Sequence, residues 1–448
     1  MSHEIGIGFE ASADPRVVRI TMTRDGRPWL RSFVRSSGPV LRASGDALLC
    51  FGLLPAIELG CRLRIDAPVD RGLIASSAAV QRMVAGWTPG CRPVEVTAQP
   101  ADSTYPGDRG HGVFFSAGVD SSYSLATNRG QLDGLVTVIG CDVDPADHGR
   151  AAWLAETIRQ VAEAYRIEPI VLETDLPAQI HPYLGWIEYH GSMLAGLRHL
   201  LADRFATMRV AASADEATMW DLPWGSHPGL DPQLGTAAAP ILLDGLVSRP
   251  EKIARVLEEP VLLEHLRVCY HGGPNCGTCE KCMLTRICLD VLGGGCRLPS
   301  FPGEPPPLNG RALRIADTSV RNDRIVLRAA AVRVGGHERL VAAIDAAITE
   351  FDRRRPTLAR RLQLKERLRV WRHRRRFAHI EAERPEIAAW AREENARTDG
   401  RVPVGTVFTT DETRVLEAID AYAGSHNLPS RIAVVREALS KLLDIRAP

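Results

Sequence analysis

Four cysteines within one short segment are the strongest chemical signal in the sequence. From Cys269 to Cys282 the spacing is C-x6-C-x2-C-x2-C, and thiolates this close together can complete one tetrahedral Zn²⁺ site. Clustered cysteines in a cytosolic chain favour metal binding over disulfides. A closed four-thiolate site leaves no open position, so we expect a structural role for Cys269, Cys276, Cys279 and Cys282. An iron–sulfur cluster and a metal-free cluster are the alternatives.

A second signal is the segment FFSAGVDSSYSL at 114–125, where a buried strand ends and a helix begins. Small residues let backbone N–H groups approach a phosphate closely, and Gly118 can adopt a positive φ. The helix N-terminus would also attract an anion. Asp120 is expected either to hold Mg²⁺ or to cap the helix. An ordinary capped strand–turn–helix is the alternative.

This segment resembles the S-G-G-x-D-S pyrophosphate loop of the PP-loop ATP pyrophosphatases, with Ala117 in place of a glycine. The resemblance implies that the loop binds the β- and γ-phosphates of ATP. Such enzymes adenylate a carbonyl or carboxylate oxygen, release pyrophosphate, and let a nucleophile displace AMP. The implied ATP-binding residues are Ser116, Ala117, Gly118, Val119, Asp120, Ser121 and Ser122.

The loop and the cysteine motif together are more specific than either alone. A PP-loop followed by C-Y-x-G-G and then C-G-x-C-x-x-C is similar to the 7-cyano-7-deazaguanine synthase (QueC) family. The similarity covers about 110–296 and implies a C–N bond-forming ligase that takes ammonia or an amine. Residues 1–108 and 300–448 have no counterpart in the compact synthase. The chain therefore looks more like the paralogues found in modification clusters and antiphage defence.

The region 214–236, ADEATMWDLPWGSHPGLDPQLGT, corresponds to the substrate loop of that family. Aromatic side chains there would stack on a flat heterocycle, and carboxylates would bind ring N–H groups, although a packed surface loop is the alternative. The substrate-binding candidates are Asp215, Glu216, Trp220, Asp221 and His227, with Trp224 and Asp231 nearby.

A helix is predicted to begin at Ser248-Arg249-Pro250, since proline suits the first turn of a helix. Arg249 and Lys252 are the candidates for neutralising charge on transferred phosphates, and a solvated helix start is the alternative. Together with Asp120 they form the predicted catalytic set. His190, in WIEYHGSMLAG, is weighed as a residue of the cleft or as a structural histidine.

The elements that must position these residues follow an α/β pattern. Strand-like GVFFSAG, LDGLVTVIGCDVD, EPIVLETDL and MRVAASA alternate with helical segments, which predicts a parallel sheet with helices on both faces. Ligands in such sheets bind beyond the carboxyl ends of the strands. The resemblance implies that this sheet is the HUP-type core of a PP-loop enzyme, at 109–297.

The remaining regions extend this core on both sides. Residues 1–108 read as a β-rich domain from VVRITMTR, ALLCFGLLPAI and CRLRIDAPV. A proline-rich break with two short strands, around RALRIADTS and DRIVLRAAAVRV, is predicted over 298–335, and a basic helical segment over 336–400. The tail at 401–448 resembles a ribbon–helix–helix unit, which implies a homodimer.

Composition limits the class of protein. The chain has 448 residues, 24% of them charged and 45% hydrophobic, as is usual for a globular protein. No apolar run is long enough for a transmembrane helix and no secretory signal is visible, so we expect the cytoplasm and no membrane partner.

Residues 353–377 hold 12 Lys and Arg and one acidic residue, in a chain whose net charge is +1. One interpretation is a surface for nucleic acid or an acidic protein. The other is a helix docked on the core through the apolar residues Leu358, Leu362, Leu364, Leu368 and Trp371, with a solvated basic face.

The sequence thus predicts a QueC-like, ATP-dependent ligase using ATP, Mg²⁺ and Zn²⁺, with a small-molecule or macromolecular carboxyl acceptor. One alternative is a PP-loop sulfur transferase, for which Cys141 would be the persulfide-forming residue. The other is a nucleotide-sensing DNA-binding regulator that uses the tail and the basic helix.

Overall fold

The structure is a computed structural model that describes residues 3–220, 222–269, 275–293, 300–301 and 312–379; for 356–361 and 379 it describes the backbone alone. Asp221, most of the proline-rich break and the ribbon–helix–helix-like tail therefore lie outside the described residues. The predictions made for them remain predictions.

The N-terminal region combines strands with two long helices. Its elements are β1 (Glu4–Glu10), β2 (Val17–Arg24), β3 (Arg27–Ser36), α1 (Gly45–Leu59), β4 (Arg62–Ile65), β5 (Val69–Asp70), α2 (Arg71–Trp87), β6 (Val96–Thr97) and β7 (Pro100–Ala101). The antiparallel ribbon β1–β2–β3 agrees with the strand predicted at VVRITMTR.

The strand predicted at ALLCFGLLPAI is wrong, because this segment lies in α1. Ser44 caps the helix by accepting a hydrogen bond from the Ala47 N–H, and Gly60 ends it in the left-handed conformation at φ 71°. Every residue of α1 is buried. A helix buried on all sides shows no 3.6-residue period, so its sequence resembles a buried strand and length is the better guide.

The central region alternates strands and helices as predicted. Its elements are β8 (Gly110–Phe114), α3 (Val119–Asn128), β9 (Gly134–Ile139), α4 (His148–Tyr165), β10 (Glu168–Thr174), α5 (Leu176–Ile180), α6 (Trp186–Leu200), β11 (Phe205–Ala211), α7 (Glu216–Met219) and β12 (Ile241–Asp244). Five of these strands form a parallel block in the order β12-β11-β8-β9-β10. The chain steps from β8 through β9 to β10 and then crosses to the other side of β8. The strand order therefore reverses between β8 and β11, where ligands bind in open α/β sheets.

One sheet joins the N-terminal and central regions. β10 pairs antiparallel with β3, Thr174 opposite Val34, and the full order is β12-β11-β8-β9-β10-β3-β2-β1-β4-β6. The boundary predicted at 108/109 thus falls within a single ten-stranded sheet, while β5 and β7 form a separate pair.

Two hydrophobic cores cover the two faces of this sheet. Successive residues of β8 and β9 point to opposite cores: Val113 and Leu135 to one, Phe114 and Val136 to the other. One core contains α1 and α6, and the other contains α3, α4 and helices that follow the central region. The predicted helices on both faces of an α/β sheet are confirmed.

The helices after the sheet are α8 (Arg249–Val256), α9 (Pro260–Glu264), α10 (Glu280–Gly293), α11 (Thr318–Val334) and α12 (Glu338–His379). The strand predicted at DRIVLRAAAVRV is wrong, because α11 covers it. Of the other predicted strand, 312–317 form a short turn followed by irregular backbone. In α11, Leu327, Ala330 and Ala331 are buried, which is helical spacing, and Asp317 caps the first turn. Within the described ranges, none of the helices is long and apolar enough to cross a membrane.

α12 confirms the predicted basic helix but docks through a different face. The expected apolar stripe is exposed: Leu362, Leu364, Leu368 and Trp371 are each 45–61% accessible. The helix instead buries Val370 and Phe377. Its basic residues supply the polar contacts, because Arg369 Nη1 lies 2.7 Å and His373 Nδ1 2.8 Å from Glu58 Oε1 of α1. A buried carboxylate needs such partners.

We expect Glu58→Ala to lower the free energy of unfolding by about 2 kcal/mol or more, since it removes hydrogen bonds between a buried carboxylate and charged partners. Arg369 would keep Glu366 and Glu188 as its remaining acidic partners. Glu350→Ala is the matched control, because Glu350 is exposed and its ion pairs are with Arg353 and Arg354 of α12; its effect on the free energy of unfolding should be much smaller. Urea unfolding measures both. Equal losses would contradict the anchoring role of Glu58.

Candidate functional site

The loop after β8 lies at the reversal of strand order, and its backbone is strained at one residue. Ala117 has φ +58° and is 1% exposed, whereas Gly118 has φ −76°. Gly118 can adopt a positive φ, but the left-handed residue of the loop is Ala117. The left-handed conformation costs an L-residue roughly 1–2 kcal/mol. Ala117 O accepts a hydrogen bond from Arg267 N at 2.7 Å, which helps to hold this conformation.

Serine hydroxyls line the turn from the loop into α3. Ser121 Oγ accepts from the Ser116 N–H at 3.2 Å, donates to Gly118 O at 3.2 Å and lies 3.4 Å from Ser116 Oγ. Ser122 Oγ is buried and has no hydrogen-bond partner within the described part of the chain. The first N–H groups of any helix also lack intrahelical acceptors. A buried unpaired donor beside such N–H groups fits an anionic ligand.

Asp120 brings the three predicted catalytic residues together. Arg249 Nη2 lies 3.1 Å from Asp120 Oδ2, and Lys252 Nζ lies 2.9 Å from Asp120 Oδ1. Lys252 Nζ also donates to Ala212 O, after β11, at 2.6 Å. Burial by itself would raise the pKa of Asp120, but the charges of Arg249 and Lys252 outweigh it and hold the pKa below its ordinary value. Asp120 makes no helix-capping hydrogen bond.

Two further cations lie at the loop. Arg267 is buried; its Nε donates to Ser116 O at 3.3 Å and its Nη2 to Asp142, after β9, at 3.1 Å. Lys281 is exposed to solvent but crowded by protein on its other sides. This desolvation, with repulsion from Arg249, lowers the pKa of Lys281 although Asp120 and Asp142 act in the opposite direction.

α11 supplies a third carboxylate behind Arg249. Asp323 is 8% exposed and its Oδ1 accepts from Arg249 N at 2.8 Å, at the first residue of α8. Four cations therefore face three carboxylates in this cluster, which leaves a positive excess at a helix N-terminus. Such an environment attracts phosphate.

The four predicted metal ligands also come together. The sulfur atoms of Cys269, Cys276, Cys279 and Cys282 all lie within 4.8 Å of one another, while a Zn–S bond near 2.3 Å places sulfurs about 3.8 Å apart in a tetrahedron. Gly277 takes φ +73° and makes the turn between the ligands. An all-sulfur donor set selects Zn²⁺ or iron–sulfur over hard cations, so the residues fit a thiophilic metal.

The surroundings of the cysteines shift the pKa values of their thiols in different directions. Burial alone would raise the pKa of Cys276, but hydrogen bonds from Thr278 and from the Cys279 N–H lower it to about 6. Cys276 is thus largely ionised at neutral pH. Burial raises the pKa of Cys282, so this thiol would lose its proton only when a metal binds.

The cysteine cluster is next to the loop in the chain and in space. Arg267, two residues before Cys269, bonds to the loop backbone at Ser116 and Ala117. Lys281, between Cys279 and Cys282, interacts with the charge of Asp120. A metal at the cysteines would therefore fix the segments that carry two of the four cations.

Of the candidate substrate-binding residues, some are buried and hold the loop together, and others are exposed to solvent. Asp215 is buried and caps α7, accepting from Thr218 N at 3.2 Å and from Thr218 Oγ1 at 2.5 Å. Glu216 is exposed. Trp220 is 53% exposed and contacts His227 edge to face, with ring centroids 5.2 Å apart. Asp221 lies outside the described residues.

His227 and Asp231 hold the loop together. His227 is buried against Trp87, its Nδ1 accepts from the Gly229 N–H at 2.9 Å, and burial lowers its pKa. Asp231 accepts from Ser226 Oγ at 2.6 Å, and burial raises its pKa to about 7. The contacts of His227 and Asp231 are those of residues that shape the loop.

Cys141 follows β9 and packs partly against the apolar core. Burial raises the pKa of its thiol well above the ordinary value, and Asp142 adds to the effect. A persulfide-forming cysteine needs thiolate character, so these surroundings disfavour the sulfur-transfer alternative.

Sequence reasoning missed Arg267, Lys281, Asp142 and Asp323. Three of them carried a readable signal: Arg267 and Lys281 flank the cysteine ligands, and Asp142 follows a buried strand at its carboxyl end. Asp323 carried none, because its segment was assigned to a strand. Comparison of the chain with protein-family models, curated proteins and solved structures found no match.

Ala117→Gly tests the strain in the loop. Glycine relieves the left-handed strain but loses a buried methyl worth about 0.8 kcal/mol and gains unfolded-state freedom, so unfolding free energy should change by less than about 1 kcal/mol. Ala126→Gly, buried in α3, should lose about 2 kcal/mol, because no strain is relieved there. Equal losses in urea unfolding would contradict a strained Ala117.

Cys276→Ser tests the metal site. We expect the unaltered protein to bind about one zinc ion per chain, and the variant to lose both the metal and part of its thermal stability. Cys141→Ser should keep the zinc, since Cys141 lies outside the cluster. Elemental analysis and thermal melting measure the two effects, and unchanged zinc content and Tm in Cys276→Ser would refute the assignment.

Proposed function

We propose that the chain is an ATP pyrophosphatase of the PP-loop type that activates a carboxyl or carbonyl group by adenylation. The observation that carries the proposal is the loop at the reversal of strand order, where an unpartnered buried hydroxyl and a helix N-terminus meet a cluster with excess positive charge. These features suit the triphosphate of ATP. The parallel order β12-β11-β8-β9-β10 supports the same class.

The residues that would bind ATP are those of the loop, with cations on both sides. Arg249 and Lys252 approach from α8, and Arg267 and Lys281 approach from the cysteine segment. Preorganised cations stabilise charge that moves onto the departing pyrophosphate. Mg²⁺ supplies further charge neutralisation when it accompanies ATP, and Asp120 is the loop carboxylate available to it once Arg249 and Lys252 turn to the phosphates.

The reaction proceeds in two parts. An oxygen of the acceptor carboxylate attacks the α-phosphorus of ATP, and the bond to the bridging oxygen of pyrophosphate breaks. Ammonia or an amine then attacks the activated carbonyl carbon and AMP leaves. The choice of nitrogen over sulfur is supported by the surroundings of Cys141, which raise the pKa of its thiol. A deazaguanine-type acceptor is proposed from the sequence resemblance.

Pyrophosphate release from MgATP, with 7-carboxy-7-deazaguanine and ammonium present or absent, tests the proposal. Stimulated release is expected. Ser122→Ala should reduce it by about 100-fold, as loss of one preorganised donor does in other active sites. Ser124→Ala is the matched control, because Ser124 Oγ is also buried without a partner among the described residues but lies further along α3.

Retained release in Ser122→Ala would contradict the role of the loop. If 7-carboxy-7-deazaguanine gives no stimulation while the protein binds ATP, the adenylated acceptor is a different acid. If the protein neither binds nor cleaves ATP, the proposed function is wrong.

A further inference from the structure

His190, near the start of α6, has one ring nitrogen anchored. It lies in the second turn of α6, half-buried, with ring centroids 5.8 Å from Trp186 and 5.9 Å from Trp224. Its Nδ1 is 2.9 Å from Ile187 O and 3.2 Å from Trp186 O. Two tryptophans and two carbonyl groups therefore fix both the position and the rotation of the ring.

These contacts determine the tautomer. A carbonyl oxygen only accepts hydrogen bonds, so Nδ1 must carry the proton and Nε2 must hold the lone pair. Nε2 has no hydrogen-bond partner within the described ranges, and this atom is not fully buried. Burial of the ring lowers the pKa of His190, although its backbone contacts and Asp142 oppose the shift. The ring is accordingly neutral at pH 7, with an available basic nitrogen.

The start of α6 lies at the same end of the parallel strands as the candidate loop. α6 begins after β10 and α5, at the edge where the parallel strands end. The charge of Asp142, at the end of β9, reaches His190, and Asp142 is bonded to Arg267, which contacts Ser116 O. Asp142 is thus common to both, since it acts on His190 through its charge and on the loop through its hydrogen bond with Arg267.

The backbone around His190 is rigid because two glycines allow a close approach. Gly225 N donates to Ile187 O at 2.9 Å, and a Cβ on Gly191 would lie 2.0 Å from Gly225 O. This contact holds the loop carrying Trp224 against α6. The indole Nε1 of Trp224 is buried and has no hydrogen-bond partner in the described residues. A hydrogen-bond donor, the Trp224 indole, and an acceptor, His190 Nε2, thus belong to neighbouring rings.

The two other histidines of the central region that are buried do not share this arrangement. His199 Nε2 is bound to Leu234 O at 2.8 Å inside the core, and His227 Nδ1 accepts from a backbone N–H. Both side chains are at most 1% exposed. His190 differs because it is anchored through one nitrogen while the other stays accessible.

We propose that His190 is the general base for the nitrogen nucleophile in the second part of the reaction, an inference that rests on the proposed function. The lone pair of ammonia or a primary amine forms a bond to the carbonyl carbon of the acyl adenylate. The bond from this carbon to the AMP oxygen breaks, and AMP leaves with that electron pair. The proton released from nitrogen passes to Nε2 of His190 and then to solvent.

The test separates the two parts of the reaction in His190→Gln and His190→Ala. ATP–pyrophosphate exchange with 7-carboxy-7-deazaguanine reports adenylation alone, and amide formation with ammonium reports both parts. We expect amide formed per exchange event to fall by about 100-fold, the usual contribution of a general base. His148→Gln is the matched control, since His148 is exposed at the start of α4.

Two further readouts exclude a merely structural role. Hydroxylamine is a weaker base than ammonia, so its adduct loses the proton more readily without a catalytic base. Hydroxamate formation should therefore fall far less than amide formation in both variants. Added imidazole should partly restore amide formation in His190→Ala. Amide and hydroxamate formation that fall in parallel with exchange would overturn the role of His190.

Different results would contradict the proposed function and the role of His190. Absence of ATP–pyrophosphate exchange in the unaltered protein, with ATP bound, would overturn adenylation of this acid and the role of His190 together. Normal exchange with an unchanged ammonium step in His190→Gln would overturn the role of His190 alone.

Discussion

The structure of the candidate site depends on the buried ammonium group of Lys252. Three elements are packed around this charge. The Lys252 side chain is 1% exposed, and its Nζ contacts Asp120 of α3 and the carbonyl of Ala212 after β11. An uncompensated buried charge is strongly destabilising, so α3, α8 and the end of β11 must keep this relative position. The loop between β8 and α3 is held open at the reversal of strand order as a result. The candidate site therefore depends on a charge that the folded chain cannot leave unpaired.

A second constraint comes from the cysteine segment. Arg267 ties it to the strained backbone of Ala117 and Ser116, and Lys281 lies between two of the thiols. A structural metal contributes folding free energy directly, and here it would order residues that face the loop. The cluster lies away from any reacting bond, yet its effect on the site is local. Asp323 adds a similar contribution from α11, so helices outside the sheet complete the charge pattern.

The α/β sheet, the loop and the cysteine ligands could be predicted because each depends on local pattern. Alternating strand and helix segments, small residues after a strand and the cysteine spacing are all visible in neighbouring residues. The failures have physical causes. α1 is buried on every side and α11 is rich in alanine and valine, so both resemble strands. The positive φ of the loop lies at Ala117 and not at Gly118, although propensity favours glycine for it, because the hydrogen bond from Arg267 helps to hold Ala117. The face on which α12 docks follows from Glu58, which is 311 residues from Arg369 along the chain.

α12 has a mechanical consequence. Leu340 and Ile344 near its start belong to the core on one face of the sheet, and Val370 and Phe377 near its end belong to the core on the other. A helix of 42 residues is about 63 Å long. α12 therefore packs against both layers of the sheet and connects them. Disorder in one layer would therefore also weaken the contacts that α12 makes with the other layer. The two layers should consequently lose their order together, as one cooperative unit. A single chain cleavage near the middle of α12 would remove this connection and leave the shared sheet as the link between the layers.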